Sequence, residues 1–402
     1  MPNRLSSFLS RFSRITTSGR YIPEIDGLRF LAVLHVIIIH IAGWMTHHLS
    51  ATFASENLSL ALPLFRRSEL GVLLFFIVSG FILGLPFAQF YLRDGKKVEL
   101  RSYFLRRFTR IEPPFLINLC LVASALLLFR QYDAGTMLPH FLASILYAHT
   151  LIYQEPSTIN YVTWSLEYEV QFYLIAPFLA HRLYSVRRTH VRYAIPFLLI
   201  PVLAPFQSFF SQTIPWCVIS RIAYFVLGMG LADLYCTTRT ADLPRTRAWD
   251  VVGLVSVALL LGTQYLPQNA TLLEIVTPIL LCGIVVAGFR GNGFGRFLRL
   301  PFVTVVGGMC YTIYLYHSQI MSALIPVTQH LPRLTSFFLP NVLLQFVVLS
   351  PIILAICAAL FLITEKPFMN PRWPSEFRDA VKAWLTQLRT PVREVKGFNK
   401  II

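Results

Sequence analysis

Long apolar runs alternate along this chain with short basic segments. Eleven runs are candidates for membrane helices or parts of them: residues 28–46, 70–91, 113–130, 138–153, 163–180, 193–208, 216–235, 250–266, 271–289, 302–326 and 341–363. A helix needs about 20 apolar residues to cross the hydrocarbon layer of a bilayer. The pattern therefore predicts an all-α fold, a polytopic transmembrane helical bundle.

The positions of the basic residues indicate which runs cross the membrane. If the N-terminus is inside and 138–153 crosses fully, the arginine-rich loop 181–192 falls outside and every later loop inverts. If 138–153 instead enters and returns on the same side, most of the 35 lysines and arginines lie in inner loops and tails. The positive-inside rule favours the second arrangement. We therefore predict about ten spans, one short re-entrant segment and two cytoplasmic termini.

Composition supports a chain that is mostly membrane-embedded. It is 55% hydrophobic and 13% charged, whereas soluble domains carry about 25% charged residues. We expect a basic N-terminal leader over 1–20, a membrane domain over 21–367 and a basic cytoplasmic tail over 368–402. The leader lacks the apolar core of a cleavable signal peptide, so it is either a short amphipathic surface helix or a disordered segment.

The net charge of +16 has two interpretations, nucleic-acid binding or membrane orientation. Because the basic residues cluster in the predicted inner loops, we assign the charge to orientation and to attraction of anionic lipid. We expect no nucleic-acid partner. The six cysteines show no metal-ligand spacing, so no metal site or permanently bound cofactor is expected.

Ionisable residues inside predicted spans indicate function, because burying them in lipid is costly. Arg29 and His40 lie on one face of the first helix, separated by about 16 Å along its axis. A cation at the inner surface with a base deeper in the helix suits an elongated anionic substrate that enters from the cytoplasm. The alternative is a flanking arginine and a histidine that packs against a carbonyl.

Glu169 is the second buried candidate, and Ser165 lies one turn before it on the same helix face. A buried carboxylate needs a partner or a proton. A histidine on a neighbouring helix is the economical partner, so we predict a pair between His40 and Glu169 that fixes the tautomer of a general base. A structural ion pair is the alternative.

Three arginines, Arg106, Arg107 and Arg110, precede the third apolar run. Arg106 and Arg110 are four residues apart and can clamp phosphate groups together. Their composition alone is equally typical of a positive-inside flank. Arg221 and His317 also lie inside apolar runs, and each is either structural or functional.

Seven short motifs then follow one another over residues 21–367. In order they are Arg29 with His40 ten residues between, GVLLFFIVSGFILG at 71–84, YFLRRFTRIEPPF, WSLEYEVQFYL with Glu169, SRIAYFVLG with Arg221, YTIYLYH at 311–317 and EKP at 365–367. Together they resemble the acyltransferase-3 family of integral membrane acyltransferases. Two positions depart from the family pattern, because Leu73 and Val170 stand where acidic residues are common.

The resemblance implies transfer of an acyl group, commonly acetyl, from cytoplasmic acyl-CoA to a hydroxyl of a carbohydrate or lipid-linked sugar. It also implies a multi-pass protein of a bacterial inner membrane. Acetyl-CoA is then a co-substrate rather than a resident cofactor. We expect the stand-alone form, without the extracytoplasmic hydrolase-like domain that some members carry.

A mechanism follows as a hypothesis. His40 acts as general base and Glu169 orients it, while a covalent acyl-histidine is the alternative. The predicted contacts of the CoA phosphates are Arg29, Arg106, Arg107 and Arg110, with Arg221 as a further contact or a structural residue. Further candidates for stabilising the reaction are Ser165, Trp164, Tyr311 and His317.

Two other functions use similar residues. A proton-coupled transporter or flippase also places histidine, glutamate and arginine inside a helical bundle, although internal repeats typical of transporters are not evident here. A non-catalytic scaffold would not explain why the arginine loop occurs together with the buried histidine and glutamate. Consumption of acetyl-CoA separates the enzyme from both.

Overall fold

A computed structural model describes residues 11–14, 21–49, 55–213, 216–267, 271–370, 372–379 and 382. Within these ranges the chain is almost entirely helical and contains no β-strand, which confirms the all-α helical bundle. Most of the predicted leader and tail, including the candidate amphipathic helix of the leader, lies outside the described residues.

Fifteen α-helices follow one another in the described part of the chain. They are α1 Pro23–Leu49, α2 Ser55–Ala61, α3 Leu70–Arg93, α4 Leu100–Leu128, α5 Ala134–Ile145, α6 His149–Tyr153, α7 Trp164–Tyr184, α8 Thr189–Thr213, α9 Ile222–Thr237, α10 Arg247–Thr263, α11 Thr271–Arg290, α12 Gly293–Leu298, α13 Pro301–Gly308, α14 Cys310–Thr328 and α15 Phe338–Leu360. A π-helical turn, Phe361–Glu365, continues α15.

Six helical segments in the described residues are long and apolar enough to cross a membrane. The region predicted to be re-entrant forms two short helices, α5 and α6. The 12 residues of α5 rise about 18 Å, well short of the hydrocarbon thickness of about 30 Å. The exact number of spans and the cytoplasmic location of both termini stay predictions from the loop charges.

Two glycines let α3 and α9 pack with their backbones in contact. A Cβ at Gly80 would overlap the carbonyl oxygen of Phe225, and a Cβ at Gly228 would overlap that of Ile77. Small residues allow this close approach between membrane helices, where packing rather than water exclusion drives association. Phe225 also stacks on Phe172 of α7, with 4.1 Å between ring centroids, so α3, α7 and α9 form one packed unit.

A similar approach holds α1 against α13, because a Cβ at Gly307 would overlap the carbonyl oxygen of Asp26. The first helix also contacts α3, α14 and α15. This central position brings one face of α1 to α14, and it determines which residues can reach His40.

Candidate active site

A cavity of about 230 Å³ lies between α1, α3, α4, α7 and α14. Its polar lining comprises Arg29, Arg106, Arg107, Arg110, Ser79, Ser165, Glu169, Tyr173, Tyr311 and Tyr314. The structure therefore brings together four of the arginines predicted to bind the donor, and it places Glu169 in the same cavity.

Asp26 holds two arginines at one end of this cavity. Its Oδ1 accepts from Arg29 at 2.9 Å, and its Oδ2 accepts from Nε of Arg14 at 3.0 Å. Burial, and next the positive charge of Arg29, lower the pKa of Arg14 to about 10, so Arg14 stays charged at neutral pH. One buried carboxylate thus supports two cations, which leaves a net positive charge.

The other arginines are positioned by α4 and by the end of α15. Arg110 lies 3.9 Å from Oε1 of Glu365, and the buried Oε2 of Glu365 accepts from the backbone N–H of Thr312 at 3.0 Å. Arg107 packs 3.7 Å above the ring of Tyr103. The closing Glu-Lys-Pro motif therefore places an arginine at the cavity.

Glu169 has different partners from those predicted. Its Oε1 accepts from Ser79 Oγ at 2.9 Å and from Tyr173 OH at 2.7 Å, and no hydrogen bond joins it to His40 in the described residues. The predicted pair between His40 and Glu169 is therefore replaced by hydroxyl contacts. The reason is helix rotation, because this face of α7 meets α3 rather than the outer half of α1.

His40 is paired with His317 instead. His40 Nδ1 lies 2.7 Å from His317 Nε2, and the rings stack with centroids 4.8 Å apart. On its other side, the His40 ring lies 5.6 Å from the ring of Tyr161, which is 48% exposed. His317, one of the further sequence candidates, is therefore the direct partner of the predicted base.

The hydrogen bonds determine the tautomer of both histidines. Nδ1 of His317 faces the carbonyl oxygens of Ile313 at 2.9 Å and Tyr314 at 3.0 Å. Carbonyls only accept, so this nitrogen carries the proton and Nε2 of His317 is an acceptor. Nδ1 of His40 must then donate to it. The remaining nitrogen, Nε2 of His40, keeps its lone pair, as a general base requires.

Tyr314 lies between the cavity and the histidine pair. Its hydroxyl donates to the carbonyl of Val162 at 2.6 Å and accepts from Ser165 Oγ at 3.1 Å. His317 is three residues further along α14, so it lies on the same side of that helix. His40 itself does not line the cavity. Tyr314 thus belongs to the cavity lining, whereas His40 and His317 lie outside that lining.

The remaining sequence candidates divide between the cavity and its surroundings. Ser165 and Tyr311 line the cavity, but both hydroxyls already donate, to Tyr314 OH and to the carbonyl of Ile111. Trp164 lies outside the lining and packs against Trp216 with centroids 5.7 Å apart. Neither hydroxyl therefore has a proton left to donate to an oxyanion in this conformation.

Arg221 does not join the other arginines. It immediately precedes α9, whereas the far end of α9 accepts hydrogen bonds from Arg93 at the carbonyl of Cys236. The 16 residues of α9 separate these ends by about 24 Å. Arg93 ends α3 at the predicted inner side, so Arg221 lies near the opposite side. Arg221 does not line the arginine cavity, which favours the structural alternative for this residue.

Three contributors were missed from the sequence. Asp26 is three residues before Arg29, a spacing that places both on one helix face, and this signal was available. Tyr314 lies in the YTIYLYH motif without a spacing that assigns it a role. Arg14 belongs to the basic leader, where nothing distinguishes it from its neighbours.

Comparison with known proteins adds the family. The family model described as an acyltransferase domain, Acyl_transf_3, matches residues 22–362. The O-acetyltransferase OatA of Staphylococcus aureus (strain NCTC 8325 / PS 47) is 26% identical over 328 residues, 76% of this chain and 51% of the relative. A putative O-acetyltransferase of Staphylococcus aureus (strain COL) is 24% identical over 336 residues, 75% of this chain and 51% of the relative.

The chain thus spans about half the length of the curated relatives it matches. No solved structure matches it. The family model covers most of the chain, and the match includes the cavity arginines, Glu169 and the histidine pair. The chain therefore belongs to the acyltransferase-3 family.

Proposed function

We propose that this chain transfers an acyl group, acetyl by default, from acyl-CoA on the cytoplasmic side to a hydroxyl of a carbohydrate or lipid-linked sugar. The observation that carries the proposal is the order in which the charged and basic groups follow one another along one path. A cationic cavity mouth leads past Glu169 to Tyr314, and a histidine pair with one free basic nitrogen lies just beyond. The names of the relatives, O-acetyltransferases, support acetyl as the acyl group.

The donor would bind with its phosphates at the arginines. Arg29, Arg106, Arg107 and Arg110 line the cavity, while Asp26 and Glu365 offset part of their charge. Guanidinium groups suit phosphate because they offer several donors in a fixed plane. The pantetheine arm would then extend along the cavity and present the thioester near Ser165 and Tyr314.

The reaction needs one base and a path for its proton. Nε2 of His40 takes the proton of the acceptor hydroxyl as the oxygen attacks the thioester carbonyl carbon. A new C–O bond forms, the C–S bond breaks, and the departing CoA thiolate recovers the proton from the imidazolium. Proton transfer of this kind contributes about 10²–10⁴-fold to the rate. His317 accepts the proton of His40 Nδ1, so the basic nitrogen of His40 is the other one, Nε2.

The acceptor is proposed to approach from the extracytoplasmic side, next to Tyr161. That tyrosine is exposed and lies beside the His40 ring, so it can stack on a sugar face as aromatic side chains do with apolar ring surfaces. Donor and acceptor then reach His40 from opposite directions. A chain in a bacterial inner membrane would face the cytoplasmic acyl-CoA pool on one side and surface glycans on the other.

The test uses a strain that lacks the gene, complemented with wild type, His40→Ala or His47→Ala. Ester groups on surface glycans are quantified by mass spectrometry, and CoA release from acetyl-CoA is measured with the purified full chain in nanodiscs. We expect His40→Ala to lose at least 10²-fold in transfer. His47 lies on the same helix but is exposed, so its variant should behave as wild type. Full transfer by His40→Ala would refute the proposal.

The same experiment separates the enzyme from a transporter. A transporter that uses the buried histidines would move its substrate without forming CoA from acetyl-CoA. Trapping labelled acetyl on the purified chain without acceptor would instead favour the covalent acyl-histidine route.

A further inference from the structure

A second, almost wholly apolar groove lies on the other side of α1. It has a volume of about 720 Å³ and is bounded by α1, α13 and α15. Phe30 and Leu34 come from α1, Phe302 from α13 and Leu354 from α15, while Ser350 is its one polar lining residue. This groove is separate from the arginine cavity, and the proposed reaction does not use it.

The groove faces the bilayer rather than the bundle interior. Phe302 and Leu362 at its rim are 54% and 39% exposed. Alanines at 355, 358 and 359 line it, and this spacing leaves one face of α15 without bulky side chains. Because water is absent from the hydrocarbon layer, a hydrocarbon chain is the occupant whose chemistry fits.

The groove is elongated along α15, which belongs to a candidate membrane span. On α15 and its continuation the lining extends from Phe346 to Leu362, which corresponds to about 24 Å of helix. This is most of the hydrocarbon thickness of about 30 Å. The shape therefore suits a long chain rather than a compact ligand.

Basic groups lie at one end of the groove, next to Leu362. Phe12 of the N-terminal segment lines the groove. The carbonyl of its neighbour Arg11 accepts from Nζ of Lys366, which lies about one turn beyond Leu362. The side chain of Arg11 is exposed. The nearest carboxylate in sequence, Glu365, is buried and bound to Thr312. An anionic headgroup at this end would therefore meet positive charge.

We propose that this groove binds one hydrocarbon chain of an anionic membrane phospholipid, with the lipid phosphate held at Arg11 and Lys366. The lipid fills the space between α1 and α15 and connects the N-terminal segment to the bundle. Since α1 also carries Arg29 and His40, the bound lipid supports the helix on which the site is built. The proposal does not depend on the acyltransferase activity.

The test is native mass spectrometry of the full chain in detergent, titrated with phosphatidylglycerol or phosphatidylcholine. We expect Ala358→Phe, which fills the groove, to reduce bound phosphatidylglycerol about tenfold. The control is Ile356→Phe, because Ile356 is on the same helix, is 38% exposed and does not line the groove. A thermal melting measurement confirms that each variant is folded.

A second variant tests the headgroup contact at an exposed position that does not perturb the core. Arg11→Gln should weaken the binding of phosphatidylglycerol about fivefold, which is the effect of about one basic residue near an anionic surface. The binding of phosphatidylcholine should stay unchanged. Equal binding of the two lipids by the wild type, or equal retention by Ala358→Phe and Ile356→Phe, would overturn the proposal. A protein dimer that Ala358→Phe dissociates would also overturn it, because the occupant would then be a second copy.

Discussion

The hydrogen bond between His40 and His317 gives a quantitative test of how the proposed base is oriented. His317→Ala removes the acceptor of the Nδ1 proton of His40, in a pair whose His317 member is fully buried. Leaving a buried donor unsatisfied costs about 1–3 kcal/mol. If that cost is expressed in the transition state, the rate falls about 5–150-fold. The expected loss thus lies at or below the lower end of the 10²–10⁴-fold range expected for His40→Ala.

The assay is acetyl transfer by the full chain in nanodiscs, with kcat and KM for acetyl-CoA determined separately. We expect kcat to fall while KM stays nearly constant, because His317 does not line the donor cavity. His317→Gln should recover part of the loss, since its amide oxygen can accept the same proton. His330→Ala is the control, because His330 is exposed just beyond α14.

The decisive measurement is the double variant. If His317 acts through His40, adding His317→Ala to His40→Ala should change the rate little, because residues that act as a unit are strongly non-additive. Losses that multiply would refute the positioning role, and they would assign His317 a separate contact with the substrate. A His317→Gln variant as inactive as His317→Ala would also contradict the tautomer argument.

Three further predictions concern the donor site and the fold. Arg107→Ala should raise KM for acetyl-CoA roughly tenfold or more, since hydrogen bonds to charged groups contribute about 1.5–3 kcal/mol. Arg101 is exposed on the same helix, so Arg101→Ala should leave KM unchanged. A fall in kcat at constant KM in Arg107→Ala would contradict a binding role. Gly80→Ala should lower the melting temperature in detergent through about 1–3 kcal/mol of overpacking, whereas Gly43→Ala, whose Cβ meets nothing within 4 Å, should not. Asp26→Ala should destabilise the protein by about 3–5 kcal/mol because two arginines lose their partner. Asp26→Asn should destabilise it less. Melting curves of the two variants check this order.

The helical bundle and the composition of the cavity were accessible from the sequence. Apolar runs indicate membrane helices because the bilayer allows few other structures. The arginines that precede the third run could be placed together because they share a predicted side of the membrane. Their convergence with Arg29 and Glu169 in one cavity required only that neighbouring helices pack.

Partner choice between helices could not be derived in the same way. His40 requires a partner, and both Glu169 and His317 lie at plausible depths on other helices. Which of them it meets depends on the rotation of each helix about its axis, and that rotation is set by close contacts such as Gly80 with Phe225 and Gly307 with Asp26. These contacts depend on three-dimensional packing, which spacing along one helix does not reveal. The choice between a donor contact and a structural role for Arg221 stayed open for a related reason, because its charge gave no information on depth.

Tyr314 contacts both the residues of the arginine cavity and the histidine pair, through different atoms. Its hydroxyl bonds to Val162 and Ser165 in the cavity lining, while the backbone carbonyl of the same residue faces His317. A side chain can change rotamer while its backbone stays in the helix, so loss of the hydroxyl contacts would leave the carbonyl contact with His317 in place. The carbonyl of Ile313 also faces Nδ1 of His317, so the tautomer of the histidine pair depends on the backbone of α14 rather than on the hydroxyl of Tyr314.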